Sequence, residues 1–329
     1  MVQITGQEIG QIGYGLMGFT WRAKPVPDEQ AFEAMRAALQ NGNNFWNGGE
    51  FYGTPESNSM TLLERYFAKY PEDADKVVLS MKGGVNVKNL HPDGSPEGVR
   101  RSLDNIISQL KGRKKVDVFE CARRDPNVPL EVTFGVIQKE YIDTGKLGGI
   151  SLSEVSAATI HEAVKHAKIA AVEVELSLFS TDVLTNGIAA ACAQYNIPLV
   201  AYSPIGRGLL TGEITKLEDI PEGDFRRFMP RFQPENFPIN LQLVQQIKDL
   251  AQKKGVTPAQ LAISWTIAVS KKPGMPVIIP IPGATTAARV NENAKLVDFT
   301  EGELAEIDAT LAKFEIAGDR YPAGAPINT

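Results

Sequence analysis

Two cysteines in 329 residues are too few for a disulfide framework. Their settings, FECAR around Cys121 and AAACAQ around Cys192, read as a strand end and a helix face. A reducing compartment fits, and the expected location is cytoplasmic, with nuclear access open. Histidine is as sparse: His91 falls on a loop, while His161 and His166 lie five apart on one helix and diverge around it. That is a poor zinc set, and no metal is expected. Basic excess is lacking too. The chain has 34 Lys and Arg against 39 Asp and Glu, a net charge of -5, which argues against a nucleic-acid partner. No run of about 18 apolar residues offers a membrane span. The opening MVQITGQEIGQIGYG has no basic segment followed by an apolar one, so no secretory signal is expected.

What is present is alternation. After a hairpin, QITGQEIGQIG, the strand candidates are IGYGL, NNFW, KVVLSM, VDVFE, LGGIS, IAAVEVE, IPLVAY and PVIIPI, short and rich in β-branched and aromatic residues. Between them run helical patterns such as DEQAFEAMRAALQNG, SPEGVRRSLDNIISQL and PLEVTFGVIQKEYIDTG. Eight strands with interleaved helices predict an α/β fold, a (β/α)8 TIM barrel, as one domain over residues 1–329. A doubly wound open sheet fits less well, because the first turn, GYGLMGFTW, lacks the full glycine fingerprint and the acidic residue about twenty positions on. Two irregularities stand out: a loop of Gly, Pro, Arg and Phe over residues 203–238 after the seventh strand, and extra helices around the eighth, LQLVQQIKDLAQKKG, TPAQLAISWTIAVS and TAARVNENAKL. Phe225, Phe228 and Phe232 in that loop would cover a ligand or anchor the loop to the rim.

Tyr52 and Lys82 carry the chemistry. Each follows a strand, where a barrel of this kind places its reactive groups. A phenol holds its proton tightly at neutral pH, and a neighbouring ammonium lowers its pKa by stabilising the phenolate. The pair therefore reads as an acid for carbonyl reduction.

The runs WNGGEFYG (residues 46–53), SMKGG (80–84), AYSPIGRGLLTG (201–212) and PIPGATTAARVNEN (280–293) resemble those of the aldo-keto reductases over nearly the whole chain. The resemblance implies NADPH laid across the carboxyl ends of the strands and a Tyr, Lys, His and Asp tetrad. Tyr52 would then be the proton donor and Lys82 its pKa partner. Tyr202 would stack on the nicotinamide, with Ser203, Gly206 and Arg207 near the pyrophosphate. Gly283, Thr285 and Arg289 would meet the 2′-phosphate, and Glu292 and Asn293 the adenine. Arginine at that phosphate favours NADP over NAD.

The departures are as informative. Asn47 stands where the family has the tetrad Asp, and Ala122 where it has His. Without a carboxylate at position 47, Lys82 is expected to be less firmly cationic. The nicotinamide clamp reads Ser151-Leu152 with Glu173 in place of Gln. These changes are similar to those of the fungal pyridoxal reductase branch, which implies reduction of pyridoxal to pyridoxine in vitamin B6 metabolism. The substrate's phenolic hydroxyl would polarise its own aldehyde, with Ala122 making room and Trp21 and Arg123 as substrate neighbours. Glu120 and Arg123 are further donors or orienters. Two rival readings stay open: a broad aldehyde and ketone reductase, and a non-catalytic NADPH-binding subunit similar to the potassium-channel β subunits. The expected partner is a small aldehyde, with the protein a monomer or weak oligomer.

Overall fold

The computed structural model describes residues 2–329. Strands β1 (Val2–Ile4) and β2 (Gln7–Ile9) pair antiparallel as the expected hairpin. Eight parallel strands follow in sequential order: β3 (Tyr14–Gly15), β4 (Phe45–Gly49), β5 (Val78–Gly83), β6 (Val116–Cys121), β7 (Leu147–Ser153), β8 (Ile169–Glu175), β9 (Leu199–Tyr202) and β10 (Ile278–Pro280). The ends of the sheet meet. Gly13 N–H donates to the Pro280 carbonyl at 2.9 Å, and Gly15 bridges Gly283 in parallel. This is the (β/α)8 barrel, and each expected strand overlaps an observed one.

Small residues allow the closure. A Cβ on Gly13 would lie 2.7 Å from Ile281 and 2.8 Å from the Phe45 carbonyl, so only glycine lets β3 approach both neighbours.

Alternation then sorts the side chains. One set faces the helices and forms the larger apolar cluster, with Trp46, Leu79, Phe119, Leu152 and Val172. The other faces inward, where Phe45, Val78, Val118, Ala171, Val200 and Ile279 pack on Ile4 and Ile9 of the hairpin. The hairpin thus plugs the amino-terminal end of the barrel. Two residues further toward the carboxyl end of β4, β5, β6 and β8, the inward positions turn polar: Asn47, Ser80, Glu120 and Glu173, with Lys82 beyond Ser80.

The helices begin where their caps say. Ser95 accepts from Gly98 N–H ahead of Pro96–Gln109, and Thr257 forms a reciprocal capping box with Gln260 ahead of Pro258–Ser270. Helix Leu130–Ile137 relaxes into a π turn at Gln138–Ile142, where one uniform helix was expected. The loop after β9 is built of short 3₁₀ turns and carries no α-helix before Phe237. Helix Glu301–Leu311 and residues 312–329 complete the chain, and this last segment returns over the barrel mouth.

Candidate active site

Tyr52 sits in the turn that follows β4. Its N–H reaches the Gly49 carbonyl at 3.2 Å, and its carbonyl accepts from Thr20 Oγ1 at 2.7 Å. The turn is clamped by Glu50, whose N–H donates to the Lys82 carbonyl at 2.8 Å. The buried Glu50 carboxylate accepts from Arg101 at 2.7 Å, Ser102 at 2.6 Å and Asn105 at 2.8 Å. The Tyr52 ring lies against Trp21, centroids 5.4 Å apart, and Trp21 in turn stacks on Phe225 of the long loop at 6.3 Å. Tyr52 is only 8% exposed, yet its hydroxyl has no hydrogen-bond partner among the described residues.

Lys82 is 5% exposed and surrounded by acceptors. Its Nζ lies 2.7 Å from Asn47 Oδ1, 3.0 Å from Glu120 Oε1 and 2.5 Å from Glu173 Oε1. Asn47 Nδ2 donates across to Glu173 Oε2 at 2.6 Å. The expectation of a weakly held charge is overturned here. Burial opposes the ammonium, but Glu120 and Glu173 outweigh it and hold Lys82 above the ordinary lysine value. Glu173 therefore serves the lysine, where the sequence pattern put it in a carboxamide clamp.

The phenol behaves differently from the expectation as well. Burial raises Tyr52, Lys82 lowers it, and Glu173 and Glu120 raise it again, leaving it pushed up to about 12. Lys82 does pull in the expected direction, but two carboxylates behind it blunt the effect. Glu173 itself is raised to about 8, by burial and then by Glu120, against the pull of Lys82.

The Ser151 hydroxyl donates to the Ala171 carbonyl at 2.7 Å, and its neighbour Leu152 faces the helices. Two residues on, Ser153 Oγ is buried without a partner among the described residues. Strand alternation would have paired Ser153 with Ser151, so the signal was present in the sequence.

A second constellation lies at the mouth, unread in the sequence. Glu154, fully buried and left-handed at φ 52°, accepts from Tyr202 Oη at 2.9 Å and from both ends of the Arg320 guanidinium at 3.1 Å. Glu175 takes Arg207 at 3.0 Å and lies 3.6 Å from Arg231 and Arg320. Burial pushes Glu175 up, and these three arginines outweigh it and hold it below its usual value. Arg207 thus turns into the mouth toward Glu175. Tyr321 joins Tyr202 hydroxyl to hydroxyl at 2.9 Å and lies under Arg207 at 4.5 Å. Arg123 also faces Tyr321, at 5.5 Å, and forms no ion pair among the described residues. Buried Ala122 donates its N–H to Gly83.

The outer residues are grouped around the strand β10 exit. Arg289 bonds Glu292 at 2.6 Å and also pairs with Glu213 of the long loop, joining that loop to helix Ala287–Asn293. The Thr285 carbonyl accepts from Gln30, Gly283 bridges Gly15, and Asn293 is buried. Ser203 and Gly206, at φ 51° and 58°, turn the chain sharply after Tyr202. The residues present suit a dinucleotide in chemistry: an unpartnered Ser153 hydroxyl and a half-buried Tyr202 ring lie on one side of this region, and the half-exposed Arg289 guanidinium on the other. Among the described residues no cluster of His, Cys, Asp and Glu could hold a metal ion, and no helix is long and apolar enough to cross a membrane.

Fold and site together define an oxidoreductase barrel, and the sequence comparisons say which kind. The chain belongs to the Aldo/keto reductase family, whose profile matches residues 11–312. Enzymes of that family generally use NADH or NADPH. The chain is 44% identical over 325 residues to "Probable pyridoxal reductase 2" of Schizosaccharomyces pombe, covering 97% of this chain and 96% of the relative. A second protein with a pyridoxal reductase name, from Saccharomyces cerevisiae, is 41% identical over 94% of this chain and 95% of its own length. "Aldo-keto reductase yakc [NADP(+)]" of Schizosaccharomyces pombe is 33% identical over 98% and 94%. Among solved structures, glycerol dehydrogenase AKR11B4 from Gluconobacter oxydans shares the fold at TM-score 0.82, with 22% identity and 97% of each chain covered.

Proposed function

We propose that this protein is an NADPH-dependent reductase of a single barrel domain that converts the aldehyde of pyridoxal to the alcohol of pyridoxine. One observation carries the chemistry: Tyr52, the protonated phenol at the barrel mouth, stands before a buried lysine kept cationic by Glu120 and Glu173. The pyridoxal reductase names of two relatives support the substrate, and the NADP(+) in another relative's name supports the cofactor.

When bound, the reduced nicotinamide supplies the hydride. Ser153, Tyr202 and the turn at Ser203 and Gly206 would hold its inner part, and Arg289, after releasing Glu213, its 2′-phosphate. Tyr52 gives its hydroxyl proton to the forming alkoxide oxygen, and Lys82 stabilises the phenolate left behind. With alanine at position 122, no imidazole orients the carbonyl. Trp21, Phe225 and Tyr321 supply aromatic walls for a flat substrate, and the Arg123 guanidinium takes an oxygen ortho to the aldehyde. A pyridine ring with a hydroxyl beside its aldehyde meets both needs.

The test is oxidation of NADPH with pyridoxal, pyridine-4-carboxaldehyde, nitrobenzaldehyde and simple ketones. Pyridoxal should be preferred by roughly a hundredfold over pyridine-4-carboxaldehyde, the share usually carried by one oriented donor. Equal turnover of all aldehydes would make the protein a broad reductase, and none at all a binding subunit. Tyr52→Phe should lose at least about a hundredfold in kcat.

A further inference from the structure

The lysine at the centre of the site has more counter-charge than it needs. Lys82 on β5 meets Glu120 on the adjacent β6 and Glu173 on β8 across the barrel, and all three are almost fully buried. An ammonium has three protons, and here they match Asn47 Oδ1, Glu120 Oε1 and Glu173 Oε1. Asn47 then returns its amide protons to Glu173 at 2.6 Å and Glu120 at 3.4 Å, so it bridges the acids without adding charge. If both acids were ionised, the dry interior would hold a net negative charge, which low dielectric disfavours. Glu120 Oε2, buried and without a partner among the described residues, is where such a charge would be worst solvated.

We propose that Glu120 and Glu173 are the positioning residues for proton transfer, standing together in place of a carboxylate at position 47, and that they share one proton so that the cluster behind Tyr52 is neutral. This rests on Tyr52 being the proton donor. During reduction the Tyr52 O–H bond breaks as the O–H bond of the product alcohol forms, and the shared proton stays where it is. Its function is electrostatic: with it in place, the phenolate faces one ammonium and one carboxylate. Without it, a second carboxylate opposes the phenolate, and proton donation slows.

The titratable groups facing Glu173 are Lys82, Glu120 and Tyr52, beside the uncharged Asn47 amide. Its strand neighbours in register, Ser153 on β7 and Val200 on β9, carry no charge, so the titration belongs to this cluster. The value of about 8 held by Glu173 places the loss of the shared proton at mildly alkaline pH, well before Tyr52 itself ionises at about 12. The reductase rate should therefore fall with a midpoint nearer the first value.

The experiment combines pH profiles of kcat with Lys82 titration followed by NMR on lysine-labelled protein. Glu173→Gln carries a neutral amide at every pH and should abolish the alkaline fall in rate. Glu120→Gln/Glu173→Gln leaves Lys82 with no carboxylate. Its ammonium should then lose its proton near neutrality, with kcat falling about a hundredfold. Adding Asn47→Asp to that double variant should restore the ammonium and at least about tenfold of the rate. The proposal fails if Glu173→Gln keeps the wild-type profile, or if Asn47→Asp restores neither the Lys82 titration nor the rate. Should the double variant not fold, the profile of Glu173→Gln and the Lys82 titration in each single variant decide. Should the wild-type protein reduce no aldehyde, the proposed function falls, and the Lys82 titration still decides the charge assignment.

Discussion

An ammonium buried in a barrel must find its compensation among the strands that surround it, and Lys82 finds it on three of them. Because Glu173 is held above its unfolded value, it binds a proton in the folded state that the unfolded chain has lost. Its contribution to stability is thus full below about pH 4.3 and disappears as pH rises through the folded value. Urea unfolding at about pH 5 and pH 9 should show the wild type losing more stability across that window than Glu173→Gln. At the outer end, Arg289→Ala should raise KM for NADPH far more than for NADH. Glu213→Ala should lower KM for NADPH, since it frees the guanidinium from a competing carboxylate. Lys82, Tyr52 and Arg289 were candidates from the sequence alone, through the motifs that hold them. The sequence does not name Glu120 as an ion-pair partner, because residues 82 and 120 meet only through the pairing of β5 with β6.

At the scale of elements, residues 312–329 are the part the sequence left unread. Periodicity cannot find a segment that makes neither helix nor strand, and its anchoring is wholly tertiary. Asn240 takes the Ala317 backbone in both directions, at 2.9 Å each way, Arg320 enters the mouth to meet Glu154, and Thr329 pairs with Glu154 and Ser156. Arg320→Ala would leave the Glu154 carboxylate buried with only the Tyr202 hydroxyl and the Glu175 N–H as donors, and should cost about 3–5 kcal/mol by denaturant unfolding. Arg320→Met with Glu154→Gln should recover much of that loss, because the stranded charge is gone. The helices, by contrast, were legible from their periodicity, and the caps that start two of them, Ser95 and Thr257, act on groups within three residues of themselves.

The whole molecule is layered along the barrel axis. The hairpin closes one end, an apolar layer of Phe45, Val78, Val118, Ala171, Val200 and Ile279 lies above it, then the charged layer, then the mouth. The apolar layer keeps water from reaching Lys82 from below, which sets the low dielectric its partners depend on. Ile279→Ala should destabilise the fold by about 2–5 kcal/mol in urea unfolding, as large-to-small changes in packed cores do.

The number of strands along the chain and the candidate phenol and amine were local properties of the sequence, written in short β-branched and aromatic runs and in short motifs. Which acid pairs with which base was not local. Asn47, Lys82, Glu120 and Glu173 are far apart in the chain and become neighbours only when the sheet closes on itself, and burial there decides their charges. That is why an asparagine that looked like a lost counter-ion turned out to stand between two carboxylates.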